Sequence, residues 1–222
     1  MPSSARSEDF PAPASPESAS PIPNRKLIRF LVQGRGIKAD LLLEDWEGRM
    51  VVVKDYRNRN WFGRFLGRYQ IRREKRIYRI LENVPGVPPF LGILSRESLA
   101  VGHVDGRPID QFQGSHLVEK ILAGLRDLLD RVHRKGVVHI DSRRRNNLLV
   151  NGEGRVHLID FAGSLHLRPG GWIGRWFFPI LKEVDEFAFL KWKQRLAPAS
   201  LSAREKVRLR RISILRAFWI FN

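Results

Sequence analysis

HRKGVVHIDSRRRNNLLVNGEGRVHLIDFAGS, residues 133–164, is the stretch of this chain that decides its fold. Its first motif, H-I-D, ends at Asp141 and is followed five residues later by Asn146. Its second motif, D-F-A, begins at Asp160, nineteen residues after Asp141. The apolar runs between the two motifs flank a glycine-containing turn and predict a β-hairpin that ends at the second motif. The hairpin would bring two carboxylates and an amide to one cleft.

The pattern H-x-D-x-x-x-x-N, followed by D-F and a small residue, resembles the catalytic and metal-binding loops of the protein-kinase superfamily. The resemblance implies that Asp141 accepts the proton of an acceptor hydroxyl. It also implies that Asn146 and Asp160 hold Mg²⁺ against the phosphates of ATP. Arg143 stands where protein kinases often have a lysine, and we expect it to neutralise the γ-phosphate. We expect His139 to support the metal-binding turn by packing and hydrogen bonding.

The other parts of a kinase nucleotide site lie upstream, in the expected order. An apolar run that ends at Lys54 resembles the strand whose lysine contacts the α- and β-phosphates. A helix with one apolar face is predicted over residues 70–81, and its Glu74 is positioned to pair with Lys54. A glycine-rich loop, in which backbone N–H groups can approach phosphate, precedes the strand. The small residues of this loop are Gly34, Gly36 and Ala39.

Each of these upstream motifs is weak when it is taken alone. A G-x-G-x-x-A pattern occurs by chance, and a lysine at the end of a strand is commonly solvated. A glutamate in a basic helix commonly pairs with a neighbouring arginine or lysine. The order and spacing of all the motifs together favour the kinase-like interpretation.

The motifs predict an α+β, two-lobed protein-kinase-like fold with a small β-rich N-lobe and a compact, mainly helical C-lobe. Between the lobes, the backbone around Val101 and His103 is the candidate contact for adenine. An amphipathic helix is predicted over residues 115–135 of the C-lobe. The expected divisions are a disordered leader (1–24), the N-lobe (25–99), the hinge (100–108), the C-lobe with the catalytic and metal loops (109–200) and a basic amphipathic C-terminal helix (201–222).

Composition restricts the classes of function further. The chain has no cysteine, which excludes disulfides and thiolate metal sites. Its 40 lysines and arginines against 23 acidic residues give a net charge of +17, which favours phosphate-rich partners. Neither a signal peptide nor a run of about 20 apolar residues is evident, so a cytoplasmic location is expected.

The compact layout resembles bacterial lipopolysaccharide kinases, which act on Kdo or heptose, and RIO-like kinases. Only about sixty residues follow Asp160, and no A-P-E motif is present. The resemblance rests also on Lys54-Asp55-Tyr56-Arg57, on Arg73-Glu74 and on Gly86-Val87-Pro88. Two departures from common kinase patterns are Ile140, where arginine is usual, and Ala162, where glycine is usual.

The resemblance implies an ATP- and Mg²⁺-dependent phosphotransferase that acts on a hydroxyl of a lipopolysaccharide-core sugar. Its acceptor would be a lipid-linked glycan, which places the chain at the inner face of the membrane. A serine/threonine protein kinase is one alternative. A non-catalytic kinase-fold module that binds anionic membrane or, less favoured, nucleic acid is the other.

Two aromatic segments remain open to more than one interpretation. Trp172–Leu181 either packs in the core of the C-lobe or forms a patch at a membrane interface. Val207–Asn222 alternates arginines with large apolar residues, and it either caps the C-lobe or anchors the chain to a surface.

Overall fold

The structure is a computed structural model that describes residues 24–168 and 171–220. Apart from Asn24, the leader expected over residues 1–24 lies outside the described residues. Within the described residues, no helix is both long enough and apolar enough to cross a membrane.

The N-terminal part of the chain forms one five-stranded antiparallel sheet in the order β1-β2-β3-β5-β4. Alternation along β3 gives this sheet two different faces, because successive side chains of a strand point to opposite sides. On one face, Val51 and Val53 are fully buried against Ala100. Lys54 therefore points to the other face, where its cross-strand partner Leu99 packs with Ile71. The strands are β1 (Arg25–Val32), β2 (Asp40–Trp46), β3 (Arg49–Asp55), β4 (Phe90–Ser95) and β5 (Ser98–Gly102).

Helix α1 (Trp61–Ile80) connects β3 to β4 and packs across the face of the sheet that carries Lys54. Its N-cap is Asn60, whose side chain accepts a hydrogen bond from the Gly63 N–H at 2.8 Å. The helix prediction over residues 70–81 covers only its second half. The first half was missed because its aromatic residues face outward and two glycines interrupt the pattern that marks a buried face.

The C-terminal part is mainly helical. Helix α2 confirms the prediction over residues 115–135, and its apolar face packs in a large core with Phe161 and with Ile77 and Tyr78 of α1. Short strands β8 and β9 form the predicted hairpin, and β6 pairs with β8. The elements are β6 (Arg107–Pro108), α2 (Val118–Arg134), β7 (Val137–Val138), β8 (Leu148–Val150), β9 (Val156–Leu158), β10 (Leu165–His166), α3 (Trp172–Leu196) and α4 (Ala203–Ile220).

Helix α3 settles how the aromatic segment is placed. In its first half, Trp172 and Trp176 are 75% and 73% exposed, and Phe177 and Ile180 are exposed as well. Its second half, from Phe187 to Trp192, is largely buried in the core. The four exposed side chains of the first half are thus not part of the C-lobe core.

Two mid-helix glycines are expected to respond to alanine in opposite ways. At Gly67 of α1, a Cβ atom would lie 2.5 Å from Cγ of the buried Tyr56, whereas at Gly124 of α2 the nearest atom would be 3.7 Å away. Gly67→Ala should therefore lower the free energy of unfolding by about 1–3 kcal/mol through overpacking. Gly124→Ala should raise it by up to about 1 kcal/mol through helix propensity.

Urea unfolding of both variants followed by circular dichroism measures these changes. Stabilisation of the chain by Gly67→Ala would show that α1 does not approach Tyr56 as closely as described.

Candidate active site

A buried lysine between two carboxylates is the centre of the candidate site. The Lys54 ammonium donates hydrogen bonds to Glu74 Oε2 and to Asp160 Oδ1, both at 2.9 Å. Although burial alone would lower the pKa of Lys54, the charges of Glu74 and Asp160 raise it well above its usual value. The structure thus brings together three of the residues that the sequence predicts, from the sheet, from α1 and from the D-F-A motif.

Helix α1 is also tied to the D-F-A loop by an arginine beside Glu74. Arg73 donates to the backbone oxygen of Ser164 at 2.7 Å and to that of Gly163 at 3.1 Å. Glu74 is only 2% exposed, so packing also holds this part of α1 against the loop. The sequence analysis did not identify Arg73 as a site residue, because its carbonyl partners are about ninety residues away.

The D-F-A loop itself is held by an aromatic anchor. Phe161 is fully buried, with its ring centroid 5.2 Å from that of Tyr78 and 5.0 Å from that of His139. Asp160 adopts a left-handed conformation with φ of 62°, and its side chain is 48% exposed toward the cleft. Burial of Asp160 would raise its pKa, but the Lys54 charge lowers it overall, so this carboxylate is ionised.

His139 packs and hydrogen-bonds as expected. Its Nε2 atom lies 3.1 Å from the backbone oxygen of Ile159, and the ring is fully buried. Burial is the main cause that lowers the pKa of His139, which makes the neutral ring the stable form. His139 therefore supports the backbone just before Asp160.

The catalytic loop is organised by Asp185, a fully buried carboxylate on α3. Its Oδ2 accepts from the His139 N–H at 2.7 Å, and its Oδ1 accepts from the Ile140 N–H at 3.0 Å. The Ser142 hydroxyl donates to Oδ1 at 2.6 Å, and His133 Nε2 lies 3.1 Å from Oδ2.

These hydrogen bonds hold Ile140 at a φ of 68°, which is strained for a β-branched residue. Asp185 was missed because it lies 44 residues beyond Asp141 in the chain and carries no local motif. Asp185 stands in the run E-V-D-E with two glutamates, so no signal in the sequence singles it out.

Asp141 is partly exposed beside the D-F-A loop, where a Cβ atom on Gly163 would lie 3.1 Å from its Oδ2. Arg144 Nε is 3.4 Å from Asp141 Oδ1. Arg143, the predicted γ-phosphate contact, is exposed and lines a separate cavity of about 320 Å³ with Trp192 and three polar residues of α3. Arg144, which the sequence analysis did not single out, thus forms an ion pair with the predicted base.

The structure distinguishes two neighbouring asparagines. Asn146 is exposed, whereas Asn147 is only 6% exposed. Nδ2 of Asn147 donates to the backbone oxygen of Asp141 at 3.2 Å, and its backbone oxygen accepts from the Ile159 N–H at 2.9 Å. Asn147 is therefore fixed between the predicted base and the residue before Asp160, which makes it the stronger candidate for the amide ligand. The sequence signal is its position directly before β8.

The carboxylate of Asp160 is ionised and the amide of Asn147 is fixed, and both offer oxygen ligands of the kind that Mg²⁺ binds. The set contains no imidazole or thiolate that would favour a softer metal. The residues present therefore fit the cation that the sequence motifs predict.

The predicted nucleotide contacts of the N-lobe lie between β1 and β2 and around the end of β5. Gly34 and Gly36 are in the loop between β1 and β2, and Gly36 uses a φ of 61° that favours glycine. Ala39 is buried with Tyr56 in a small core under the same loop. Val101 belongs to β5, and the N–H of His103, just after that strand, donates to the Met50 backbone oxygen at 3.1 Å.

Comparisons with known proteins support this architecture. No protein-family model matches the chain, and no curated protein matches it in sequence. Among solved structures, the Rio2 kinase from Chaetomium thermophilum, in an ADP/Mg²⁺-phosphoaspartate complex, is similar with a TM-score of 0.61 and 19% identity. The similarity covers 80% of this chain but 57% of that one, so this chain spans little more than half of it. The predicted two-lobed protein-kinase-like, RIO-like fold is confirmed.

Removing the charge of Asp185 should change how stability depends on pH. Burial would raise the pKa of Asp185, but its hydrogen bonds from His133 and Ser142 lower it overall. A lowered native pKa contributes stability above pH ~4, the pKa range of an unfolded aspartate, and this contribution disappears as the pH falls through the native pKa. Asp185→Asn should therefore cost at least about 2 kcal/mol at pH 7 and less below pH ~4.

Urea unfolding between pH 3 and pH 7 checks this. Asp127→Asn, which removes an exposed ion pair with Arg131, is the matched control and should cost under about 1 kcal/mol. A wild-type to Asp185→Asn difference that stays constant with pH would contradict the assignment.

Arg73→Gln should loosen the D-F-A loop without touching nucleotide. Because the guanidinium hydrogen bonds to Ser164 and Gly163 are lost, we expect the affinity for Mg²⁺-ATP to fall about tenfold. Arg72→Gln removes the same charge from the exposed face of α1 and should leave the affinity within about twofold of wild type. Titration calorimetry with Mg²⁺-ATP measures the affinity. An equal loss of affinity in both variants would show that Arg73 acts only through its charge.

Proposed function

We propose that this chain is an ATP- and Mg²⁺-dependent phosphotransferase that moves the γ-phosphate to a hydroxyl group. The observation that carries the proposal is the pair of 2.9 Å hydrogen bonds from Lys54 to Glu74 and to Asp160. They support the proposal because the cation that would bind phosphate and the carboxylate that would bind metal lie in direct contact. Asp141 lies beside the same loop, because a Cβ atom on Gly163 would be 3.1 Å from its Oδ2.

Each residue has a distinct role in the proposed transfer. Lys54, held by Glu74, binds the α- and β-phosphates, and the loop of Gly34 and Gly36 covers them. Asp160 and Asn147 hold Mg²⁺, which neutralises the charge of the phosphates when it is bound.

Asp141 accepts the proton of the acceptor hydroxyl while the oxygen of that hydroxyl forms a bond to the γ-phosphorus. The bond from that phosphorus to the bridging oxygen breaks, and ADP leaves with the electron pair. One covalent bond is formed and one is broken at phosphorus, so no further reactant is needed.

The acceptor we propose is a sugar hydroxyl of the lipid-linked lipopolysaccharide core. The cavity lined by Arg143 adjoins the catalytic loop, because the Trp192 ring N–H donates to the Ser142 backbone oxygen at 3.0 Å. Its lining includes the cations Lys191 and Arg195 and the indole of Trp192. These cations suit an acidic or phosphorylated sugar. This acceptor would place the protein at the inner face of the membrane.

The test is transfer of radiolabelled γ-phosphate from Mg²⁺-ATP to detergent-solubilised lipopolysaccharide core and, separately, to a generic serine-containing protein. We expect labelled glycan, and we expect Asp160→Asn and Asp141→Asn to lower its rate by about 10²–10⁴-fold. Asp127→Asn serves as the control of equal charge change and should keep the wild-type rate.

The other outcomes separate the alternatives. Label on protein alone would keep the mechanism and replace the acceptor by a serine or threonine. ATP binding without transfer to either acceptor would sink the enzyme proposal and leave a kinase-fold binding module.

A further inference from the structure

A basic cavity lies on the side of α1 away from the active site. Its volume is about 590 Å³, which is in the range of small-ligand sites. It lies between the second half of α1 and residues 166–168, at the end of β10 and just after it. The cavity is lined by Arg72, Lys75, Arg76, Arg79, Ile80, His166 and Arg168.

The positive charges of this cavity are not neutralised by ion pairs in the part of the chain that the structure describes. Within residues 24–168 and 171–211, none of its five lysine and arginine side chains forms an ion pair. Elsewhere on the same helix, Arg64 and Arg68 both pair with Glu97, at 3.2 and 2.7 Å. Unneutralised cations around one concave surface create a positive potential that attracts anions.

His166 reports the same potential from inside the cavity. Burial is the main cause that lowers its pKa, and the charges of Arg76 and Arg168 lower it further. Its Nδ1 atom is buried and has no protein hydrogen-bond partner. An anionic group in the cavity would supply a compensating charge to the neighbouring arginines.

An aromatic stripe continues the cationic face of α1 toward its N-terminus. Steps of three or four residues keep side chains on one face of a helix, and positions 61, 65, 69, 72, 76 and 79 follow such steps. Trp61 is 80% exposed, and Phe65 and Tyr69 are each 62% exposed. One face of α1 is therefore aromatic in its first half and cationic in its second.

A second exposed aromatic group flanks the cavity on its other side. The first turn of α3 lies against Arg168, because a Cβ atom on Gly174 would be only 2.4 Å from the Arg168 backbone oxygen. From this turn onward, Trp172, Trp176 and Ile180 are exposed. The cavity thus lies between two groups of exposed aromatic and apolar side chains.

We propose that this surface docks the protein on an anionic phospholipid bilayer. The docking surface comprises the basic cavity, the α1 stripe of Trp61, Phe65 and Tyr69, and the exposed first half of α3. Tryptophan and phenylalanine favour the interface between headgroups and acyl chains, and nearby cations bind anionic headgroups. A lipid phosphate enters the cavity while the aromatic groups on both sides insert at the interface.

The proposal does not require catalysis, so it stands or falls independently of the acceptor. RNA is the competing occupant, because aromatic faces also stack on bases. The bilayer is favoured because Ile180 and the two exposed tryptophans of α3 add apolar area without a charged residue between Trp176 and Ile180. A concave cavity between two separated apolar groups also suits a single headgroup better than a continuous strand.

Vesicle flotation of the full chain tests the proposal without ATP. We compare vesicles of phosphatidylcholine alone with vesicles that contain about one third phosphatidylglycerol, at about 0.1 M salt. Wild type should float only with the anionic vesicles. Because each cation near such a surface strengthens binding about fivefold, Arg72→Gln/Arg76→Gln/Arg79→Gln should weaken binding on the order of 100-fold.

A charge-matched control separates the cavity from the net charge of the chain. Arg29→Gln/Arg96→Gln/Arg134→Gln removes three exposed arginines from three other parts of the fold. This control should bind within about threefold of wild type, and an equal loss in both triple variants would overturn the docking surface. All six arginines are exposed, and circular dichroism is used to check that each variant folds.

The aromatic contribution has its own variant. Trp61→Ser/Phe65→Ser keeps every charge and should still weaken binding to anionic vesicles by about tenfold or more. Unchanged binding by this variant would overturn insertion at α1. A different result would identify nucleic acid as the partner. In that case wild type would not float with vesicles but would bind a single-stranded RNA 20-mer, and the cavity variant would lose this RNA binding.

Discussion

The ammonium of Lys54, buried between Glu74 and Asp160, is the constraint on which the rest of the site depends. An unpaired lysine at this depth would lose its charge, so the sheet, α1 and the D-F-A loop must all stay in register to keep it paired. Arg73 holds the D-F-A loop in place by hydrogen bonds, and Phe161 holds it by packing.

Local patterns were sufficient to predict the parts of the fold that have a buried face. The alternation that ends at Lys54, the apolar face of α2 and the hairpin before Asp160 each follow from burial of one side. The first half of α1 escaped prediction because its apolar side chains face solvent. The same exposure makes that half a candidate for contact with another surface.

The candidate site was predictable where chemistry and sequence spacing coincide, as at Asp141, Asp160 and Lys54. Partners that act across the fold were not. Asp185 and Arg73 bind backbone atoms, and backbone atoms leave no trace in a sequence pattern. Asn146 and Asn147 are adjacent and chemically identical, so only the fold distinguishes the buried one from the exposed one.

The large core has a mechanical consequence. Ile77 and Tyr78 of α1, and Leu81 just after it, pack with α2 and Phe161, so the end of this helix is part of the C-lobe core. The β-sheet has one small core of its own, made by Val51, Val53 and Ala100. It shares a second small core with α1, in which Ile71 packs with Tyr56 and Leu99. Helix α1 is therefore packed into both parts of the fold and couples the sheet mechanically to the C-lobe.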